Sequence, residues 1–569
     1  METGTGTSYE EKPWLKFYPP GVSATVEIPE KSMGEMFDEA TDRWGSRKAI
    51  VFYGRDISYR ELREQVDRFA NALYHLGIRK GDRVAILMVN SPQFFITFHG
   101  AAKIGAVVTP LSPVYVSREM EYQLKDCGAE TIVCLDILWN TVEKTGIKFK
   151  NVILTNISEY MPKAKRFLGK SVLRAAYQKM AMPSAEILKG EGFYQFQDLL
   201  REYPPNPPKV EINTKEDLLN LPYTAGTTGN PKGVMITQYN TIANAIQWRS
   251  FYPFLEDGKD VFVVYMPLYH MAAQAIGLVS GIFSGFTLVL LTTPVPDDIL
   301  SAINTYKATV FMGAPALAEG LKDYEKTDRV NWKKFKVIWC GADALHESTR
   351  KGWMARTGTQ LSEMYGMTEF SGGSHGNPVG GVKEGSMGIP WPNTQAAVLD
   401  PDKDVFLSMG EVGELAVHGP QVTRGYWDKP DVTRECEAII NGVRWWRTGD
   451  LVNMDEDGYF YFYDRKQDFI KYKGYKIHPR EIEEVLKKHP QIRESGVIGV
   501  KDPKVGEDIK VFVVLERDAR GKLSEQDIVK YCENELAHYK IPKIVEFVGE
   551  IPKTDVGKVS RRELRETEE

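Results

Sequence analysis

From Val261 to Pro296 the chain carries no Asp, Glu, Lys or Arg. A charge-free stretch of that length either spans a membrane or is backbone buried inside a protein core. This one contains Pro267, His270, Gln274 and several glycines, and it breaks into short pieces. VFVVYMPL (261–268) reads as a buried strand, AAQAIGLVSGIFSG (272–285) as a small-residue helix, and FTLVLL (286–291) as a second strand. A buried strand–helix–strand unit is the better reading, and it points to a layered α/β domain.

The rest of the chain repeats that texture. KAIVFYGRDISYR (48–60) reads as a hairpin around a Gly-Arg-Asp turn. Glu61 to Leu76 has helical spacing, with Leu62, Val66, Phe69, Ala70, Leu73 and Leu76 on one face. The strand RVAILM, a helix through FFITFHGAAKIG and the strand AVVTPL follow. ATVFMGAP (308–315) and KVIWCGAD (336–343) are apolar strands ending in Gly-Ala, and open α/β sheets bind ligands beyond such strand ends. From about 395, AAVLD, GELAVHG and GYFYFYDR read as antiparallel strands. Past Arg465, EIEEVLKKH and SEQDIVKYCENEL read as helices, ESGVIGV and DIKVFVVLE as strands. The expected fold is therefore α/β: a large N-terminal domain of layered α/β subdomains plus a β-rich subdomain, then a small α+β C-terminal domain. The basic piece MPKAKRFLGKSVLRAAYQKM (161–180) has the pattern of an amphipathic helix and is assigned no chemistry; YPPNPPK (203–209) reads as a stiff linker.

At 569 residues more than one domain is expected. A net charge of −5 supplies no global basic field for nucleic acid. The five cysteines are scattered without a C-x-x-C pair, which argues for reduced thiols and against a disulfide framework or zinc site. The N-terminus lacks the basic-then-apolar order of a secretory signal, so a cytoplasmic location is expected, with no transmembrane span.

Chemistry enters at Leu221–Val234, LPYTAGTTGNPKGV. Thr224, Thr227 and Thr228 supply hydroxyls, Gly226, Gly229 and Gly233 allow close backbone approach, and Lys232 adds positive charge. Those are the properties of a phosphate cradle. The spacing excludes the G-x-x-x-x-G-K-[ST] loop, since Pro231 stands five residues after Gly226 and Gly233 follows Lys232. In LSEMYGMTE (361–369), Tyr365 offers a ring on which adenine can stack and Thr368 a hydroxyl for phosphate. Glu369 offers a hard oxygen for the Mg²⁺ that accompanies a triphosphate. The bland alternative is a surface helix start. Asp450, in Arg447-Thr448-Gly449-Asp450, is the kind of carboxylate that accepts from both hydroxyls of a ribose, although an Asx turn explains a lone triplet equally well.

Together these segments resemble the AMP-forming adenylate enzymes: acyl-CoA synthetases, luciferases and the adenylation domains of peptide synthetases. Ala225 stands where the family usually has Ser, so the loop has one hydroxyl fewer. The resemblance implies that Gly341, Ala342 and Asp343 line the adenine side, with Glu363, Met364, Gly366 and Met367 completing the nucleotide-binding segment. It makes Asp450 the ribose-binding aspartate and Arg465 a partner of ribose and phosphate. DRKQDFIKYKGYKIHPREI (464–482) resembles the hinge and first turn of the family's mobile C-terminal domain. The implied division is an N-terminal adenylation domain (1–463), a hinge (464–468) and a C-terminal mobile domain (469–569). Gln467 fills the pivot position, where Asp or Lys is usual, and Lys473-Gly474 lies where the pantetheine arm of coenzyme A would pass. IPKTDVGKVSRREL matches the closing motif, whose lysine is Lys558. Positive charge there suits an anionic acid attacking an anionic phosphate. Lys558, Thr368 and Glu369 are accordingly the expected catalytic residues.

The implied activity is that of an AMP-forming acyl-CoA synthetase, using ATP, Mg²⁺ and coenzyme A on a small-molecule carboxylic acid. A homodimer is compatible with the family. In relatives a His or aromatic residue at the place of His270 flanks the acid, and Met271, Phe311, Met312 and Trp339 are the expected apolar lining. Gly366 stands where acetate- and propionate-using relatives carry a pocket-closing tryptophan. The expected acid is therefore a medium- or long-chain fatty acid, or a short hydroxy acid such as 4-hydroxybutyrate. One alternative is an adenylation enzyme loading a carrier protein. An amino-acid substrate would need an acidic partner, and none lies between Val261 and Pro296. The other is a non-catalytic nucleotide-binding protein.

Overall fold

The computed structural model describes residues 9–162, 190–224, 231–343, 345–472, 475–502, 506–553 and 559–568. The 161–180 piece falls almost wholly outside these. The charge-free stretch is the heart of a nine-stranded sheet. Val261–Val264 and Thr287–Leu290 pair in parallel, and the helical turns between them, 271–283, cross over as the sequence leads one to expect. Their register continues in parallel through Val310–Gly313, Val337–Cys340 and Ser362–Tyr365 on one side and through Lys48–Phe52 on the other. Arg55–Ser58 closes the hairpin at that far edge, antiparallel. The strand burial is continuous: Val337, Ile338, Trp339 and Cys340 are all buried, as befits a sheet covered on both faces.

A seven-stranded sheet holds Arg83–Leu87 at its centre, flanked by Val107–Pro110 and Thr131–Leu135, all parallel. The 395–465 region forms a five-stranded antiparallel sheet in which Val443–Met454 pairs with both Gly413–His418 and Phe460–Arg465. Beyond a turn at Lys466–Asp468 the chain enters a separate five-stranded sheet, built around Gly506–Leu515 and packed on the helices Pro479–Lys487 and Glu525–Glu535. The mixed α/β class with a smaller C-terminal unit is thus realised. Among the described residues no helix is long and apolar enough to cross a membrane.

One piece of the crossover differs from expectation. Gln274–Ser280 is wound as a π-helix, with short α-turns at Met271–Ala273 and Gly281–Phe283. Such wide turns are uncommon and occur often at functional sites.

Candidate active site

The parallel strands deliver their carboxyl ends to one edge of the sheet. Val337–Cys340 runs out into Gly341-Ala342-Asp343 beside Ser362–Tyr365. A Cβ on Gly341 would sit 2.9 Å from the Met364 carbonyl oxygen, so only hydrogen fits there. Ala342 holds φ at +75°, a left-handed conformation that an alanine adopts only under constraint. The segment does not take the bland alternative of a surface helix start: it is a strand carrying Glu363, Met364 and Tyr365. Gly366 and Met367 follow, and then a tight turn, Thr368–Phe370.

Tyr365 reaches out of that strand and donates its hydroxyl to Asp450 Oδ2 at 2.6 Å. Asp450 sits directly opposite Arg465 in the antiparallel register, and the guanidinium Nε lies 3.3 Å from Oδ1. The turn at 448–450 is fixed by Thr448 Oγ1, which accepts from the Asp450 amide at 3.0 Å, and by Glu414, which accepts from the Gly449 amide at 3.0 Å. The Asp450 carboxylate is therefore not spent on an Asx turn; it joins Tyr365 to Arg465. Tyr365 of one sheet thereby joins Asp450 and Arg465 of another in one polar corner.

Glu369 is the second focus. Only 4% of its surface is exposed, and its Oε1 accepts from the Tyr426 hydroxyl at 2.7 Å. Burial pushes its pKa up, opposed by the Tyr426 hydrogen bond and the charges of Arg465 and Lys232. Lys232 Nζ lies 5.0 Å from the Tyr426 ring centre, within cation–π range. The main chain makes this arrangement obligatory. Trp427 donates to the Gly233 carbonyl at 2.8 Å, Met235 to that of Gly425 at 2.9 Å, and Thr423 to that of Glu369 at 2.7 Å. Tyr426 was not singled out from the sequence. Its signal is Gly425-Tyr426-Trp427, where Gly425 holds φ at +135° and two aromatic residues follow.

Thr224 and Lys232 face each other as the base of a two-stranded hairpin. Ala225, Gly226, Thr227, Thr228 and Gly229 lie outside the described residues, as do Lys473, Gly474 and Lys558. Gln467 is in the turn that joins the antiparallel sheet to the C-terminal one. Glu363 shares the strand face of Tyr365. Its charge partners are Arg350, at 3.8 Å, and Arg480 from the C-terminal unit, while burial pushes its pKa up to about 7.

The helix Gln238–Phe251 ties the edge together. Thr237 and Asn240 form a reciprocal cap, and Asn240 Nδ2 also donates to the carbonyls of Pro420, at 2.8 Å, and Val422, at 3.0 Å. Asn244 donates to Phe370 at 3.1 Å and Gly373 at 2.7 Å, and Gln247 to Pro392 at 2.8 Å. Buried amides along one helix thereby hold three separate loops.

The acyl-side expectations need two corrections. Phe311 and Met312 are neighbours in one strand and so face opposite sides of the sheet. Phe311 packs with Tyr265 (5.9 Å between ring centres), Trp332 and Phe335. Met312 pairs across the sheet with Trp339, whose ring packs on Trp248 (5.3 Å) and Tyr252 (5.1 Å) of the Gln238–Phe251 helix. Phe311 therefore does not share a cavity wall with Met312 and Trp339. Gly366, second, does not open a pocket by lacking a side chain. A Cβ there would lie 1.9 Å from the Gly372 carbonyl oxygen, in space the main chain already fills. His270 caps the turn Met271–Ala273, and Met271 is buried, its sulfur 3.3 Å from Asn220 Nδ2.

Residues 37–427 match the model of the AMP-binding enzyme family, and residues 481–558 that of the AMP-binding enzyme C-terminal domain. The long-chain-fatty-acid–CoA ligase of Bacillus subtilis (strain 168) is 34% identical over 562 residues, covering 98% of each chain. That of Yersinia pestis is 37% identical over 568 residues, again 98% of each. The crystal structure of ATP-bound MatB from Rhodopseudomonas palustris superimposes with a TM-score of 0.78 at 26% identity, covering 94% of this chain and 99% of the other. With the polar corner, the buried glutamate and both family models in register, the chain belongs to the AMP-binding, adenylate-forming enzymes and is an AMP-forming acid–thiol ligase.

Proposed function

We propose that this ligase joins a long-chain fatty acid to coenzyme A. The observation that carries the reading is the convergence of Tyr365, Asp450 and Arg465 with Glu369, Tyr426 and Lys232 at the carboxyl edge of one parallel sheet. Such an edge, with a ribose acceptor on one side and cationic and hydroxyl groups on the other, suits a nucleoside triphosphate. In the first step the fatty-acid carboxylate attacks the α-phosphorus of ATP, and the bond to pyrophosphate breaks. In the second the coenzyme A thiolate attacks the acyl carbon and AMP leaves with the bonding electrons.

Asp450 would accept from the ribose hydroxyls, with Arg465 and Tyr365 fixing its orientation. Tyr365 would also offer its ring to adenine, beside Gly341, Ala342 and Asp343. Thr224, Thr227, Thr228, Thr368 and Lys232 would bind phosphate oxygens, and Lys558 would neutralise charge where carboxylate meets α-phosphate. Glu369 fits a divalent ion: it is a nearly buried carboxylate whose ionised form lacks an adjacent salt-bridge partner among the described residues. Bound there, Mg²⁺ would supply charge compensation to the triphosphate. Lys473 and Gly474 are assigned to the passage of coenzyme A. Residues 464–468 are assigned as the hinge between domains 1–463 and 469–569, with Gln467 as pivot.

The relatives' names favour a long-chain acid over 4-hydroxybutyrate, and a coenzyme A ligase over a carrier-loading or non-catalytic protein. Met271, Met312 and Trp339 would supply an apolar side on which each buried methylene gains roughly 0.8 kcal/mol. The test is AMP and thioester formation across acids of two to eighteen carbons. A rise in kcat/KM towards the long acids is expected; a preference for 4-hydroxybutyrate or for carrier protein over coenzyme A would overturn the reading.

A further inference from the structure

The C-terminal unit meets the large domain along one face of the helix Pro479–Lys487. Arg480 and Glu484, four residues apart, share that face. Arg480 donates through Nη1 to the Phe462 carbonyl at 3.3 Å and through its amide to Asp464 Oδ2 at 3.3 Å. Asp464 also faces His478 Nδ1 at 3.8 Å and Arg561 Nη1 at 4.0 Å. Glu484 Oε1 lies 2.9 Å from His346 Nδ1 and 3.6 Å from Arg480 Nε. His346 is the residue before the helix Glu347–Thr357 of the large domain.

These contacts differ in how they respond to a turn about residues 464–468. Phe462 and Asp464 adjoin that segment in the chain, so their partners stay close to the axis of any rotation there. His346 instead belongs to the large domain, just before the helix Glu347–Thr357, so its bond to Glu484 runs directly between the two bodies that such a rotation would move against each other. A contact between two bodies that rotate against each other must break, and one made to the pivot segment itself is carried along. The His346–Glu484 bond is moreover about one-third exposed on both sides, which keeps it weak enough to make and break in each turnover.

We propose that His346 and Glu484 are positioning residues whose bond holds the C-terminal domain in the orientation seen here, and so sets the balance between adenylate formation and thioester formation. The inference rests on the two-step reaction proposed above. It assigns the bond no part in the chemistry; the pair chooses which half-reaction the domain is placed to perform.

The experiment compares wild type, His346→Ala, Glu484→Gln and the double variant in two separate assays. One is acid-dependent pyrophosphate exchange, the other thioester formation from supplied acyl-adenylate. The ratio of the two rates should shift roughly two- to fivefold, in the same direction, in both single variants, with no further shift in the double variant. His346→Asn, which keeps a donor near the Nδ1 position, should return the ratio to wild type. Amide hydrogen exchange over residues 482–487, read without substrate, should quicken in the single variants while residues 337–340 keep their protection. An unchanged ratio, independent effects that add, or unaltered exchange would overturn the proposal. A wild type lacking both half-reactions would instead remove the functional reading, and the exchange measurement would still decide the contact.

Discussion

The side of the site proposed for the nucleotide and the side proposed for the acid are built by different means. On the nucleotide side the groups that meet are polar and paired: Tyr365 on Asp450, Asp450 on Arg465, Tyr426 on Glu369. Buried polar groups are costly unless paired, so this arrangement leaves each residue little choice of place. On the acyl side the groups are apolar, and any of them is equally at home in the core. Phe311 and Met312 differ only in which face of a strand they occupy, yet one packs among Trp332 and Phe335 while the other lies opposite Trp339. Polar chemistry marks its own location; apolar chemistry is located only by the fold.

If that contrast is right, changes on the two sides fail differently. The largest effect is expected from Gly366→Trp. Its Cβ would meet main chain at 1.9 Å, so the variant should lose activity towards acids of every length and lose stability as well. A soluble variant with a preference restored to acetate would break the packing argument. Next comes Asp450→Ala, which strands a buried tyrosine hydroxyl and an arginine. ATP affinity should fall by about 1–3 kcal/mol, or roughly five- to a hundred-and-fiftyfold, equally for all acids. Calorimetric titration with ATP measures it, and a loss that depended on acyl length would blur the two sides.

Phe311→Ala and Trp339→Ala sharpen the comparison. Each should cost about 3–5 kcal/mol of stability by denaturant unfolding. Only Trp339→Ala should reorder the acids, towards longer chains, in a kcat/KM series; a reordering by Phe311→Ala would put the acyl cavity on the other face. The smallest effect belongs to Tyr426→Phe. The Tyr426 hydrogen bond lowers the pKa of Glu369 against the upward pull of burial. Removing it raises that pKa further, so the acidic limb of the kcat/KM profile should move to higher pH. Activity should fall severalfold at neutral pH, in line with a loss of about 0.5–1.5 kcal/mol. An unmoved limb would detach Glu369 from the reaction.

The same contrast governs what could be read from the sequence. The strand–helix–strand unit at 261–291 was legible because only burial on both faces explains so long a charge-free run. Asp450, Arg465, Tyr365 and Glu369 stood out by residue type and by resemblance, and the sheet register brings them together. Tyr426 stands in a loop of the 395–465 region, and the Gly-Tyr-Trp triplet around it does not say which distant carboxylate its hydroxyl meets. The helix Gln238–Phe251 was missed for a related reason. It is buried on nearly all sides, and its interior amides erase the apolar stripe by which a helix is usually recognised. The corrections at Phe311 and Gly366 depend on a face and on a neighbouring backbone, and neither is written in a residue's own chemistry.

That amide-lined helix also bears on how such a protein can change. The loops at 370–373, 392–394 and 420–422 hang from a single rod, and each suspension point is a side-chain nitrogen inside the core. Shortening any one of them would orphan carbonyls that water cannot reach, so these loops cannot drift one at a time. A lineage adapting to a new acid would keep the truss and redecorate the strand faces beside it. Whatever motion the proposed reaction cycle demands is correspondingly left to parts that this helix does not hold.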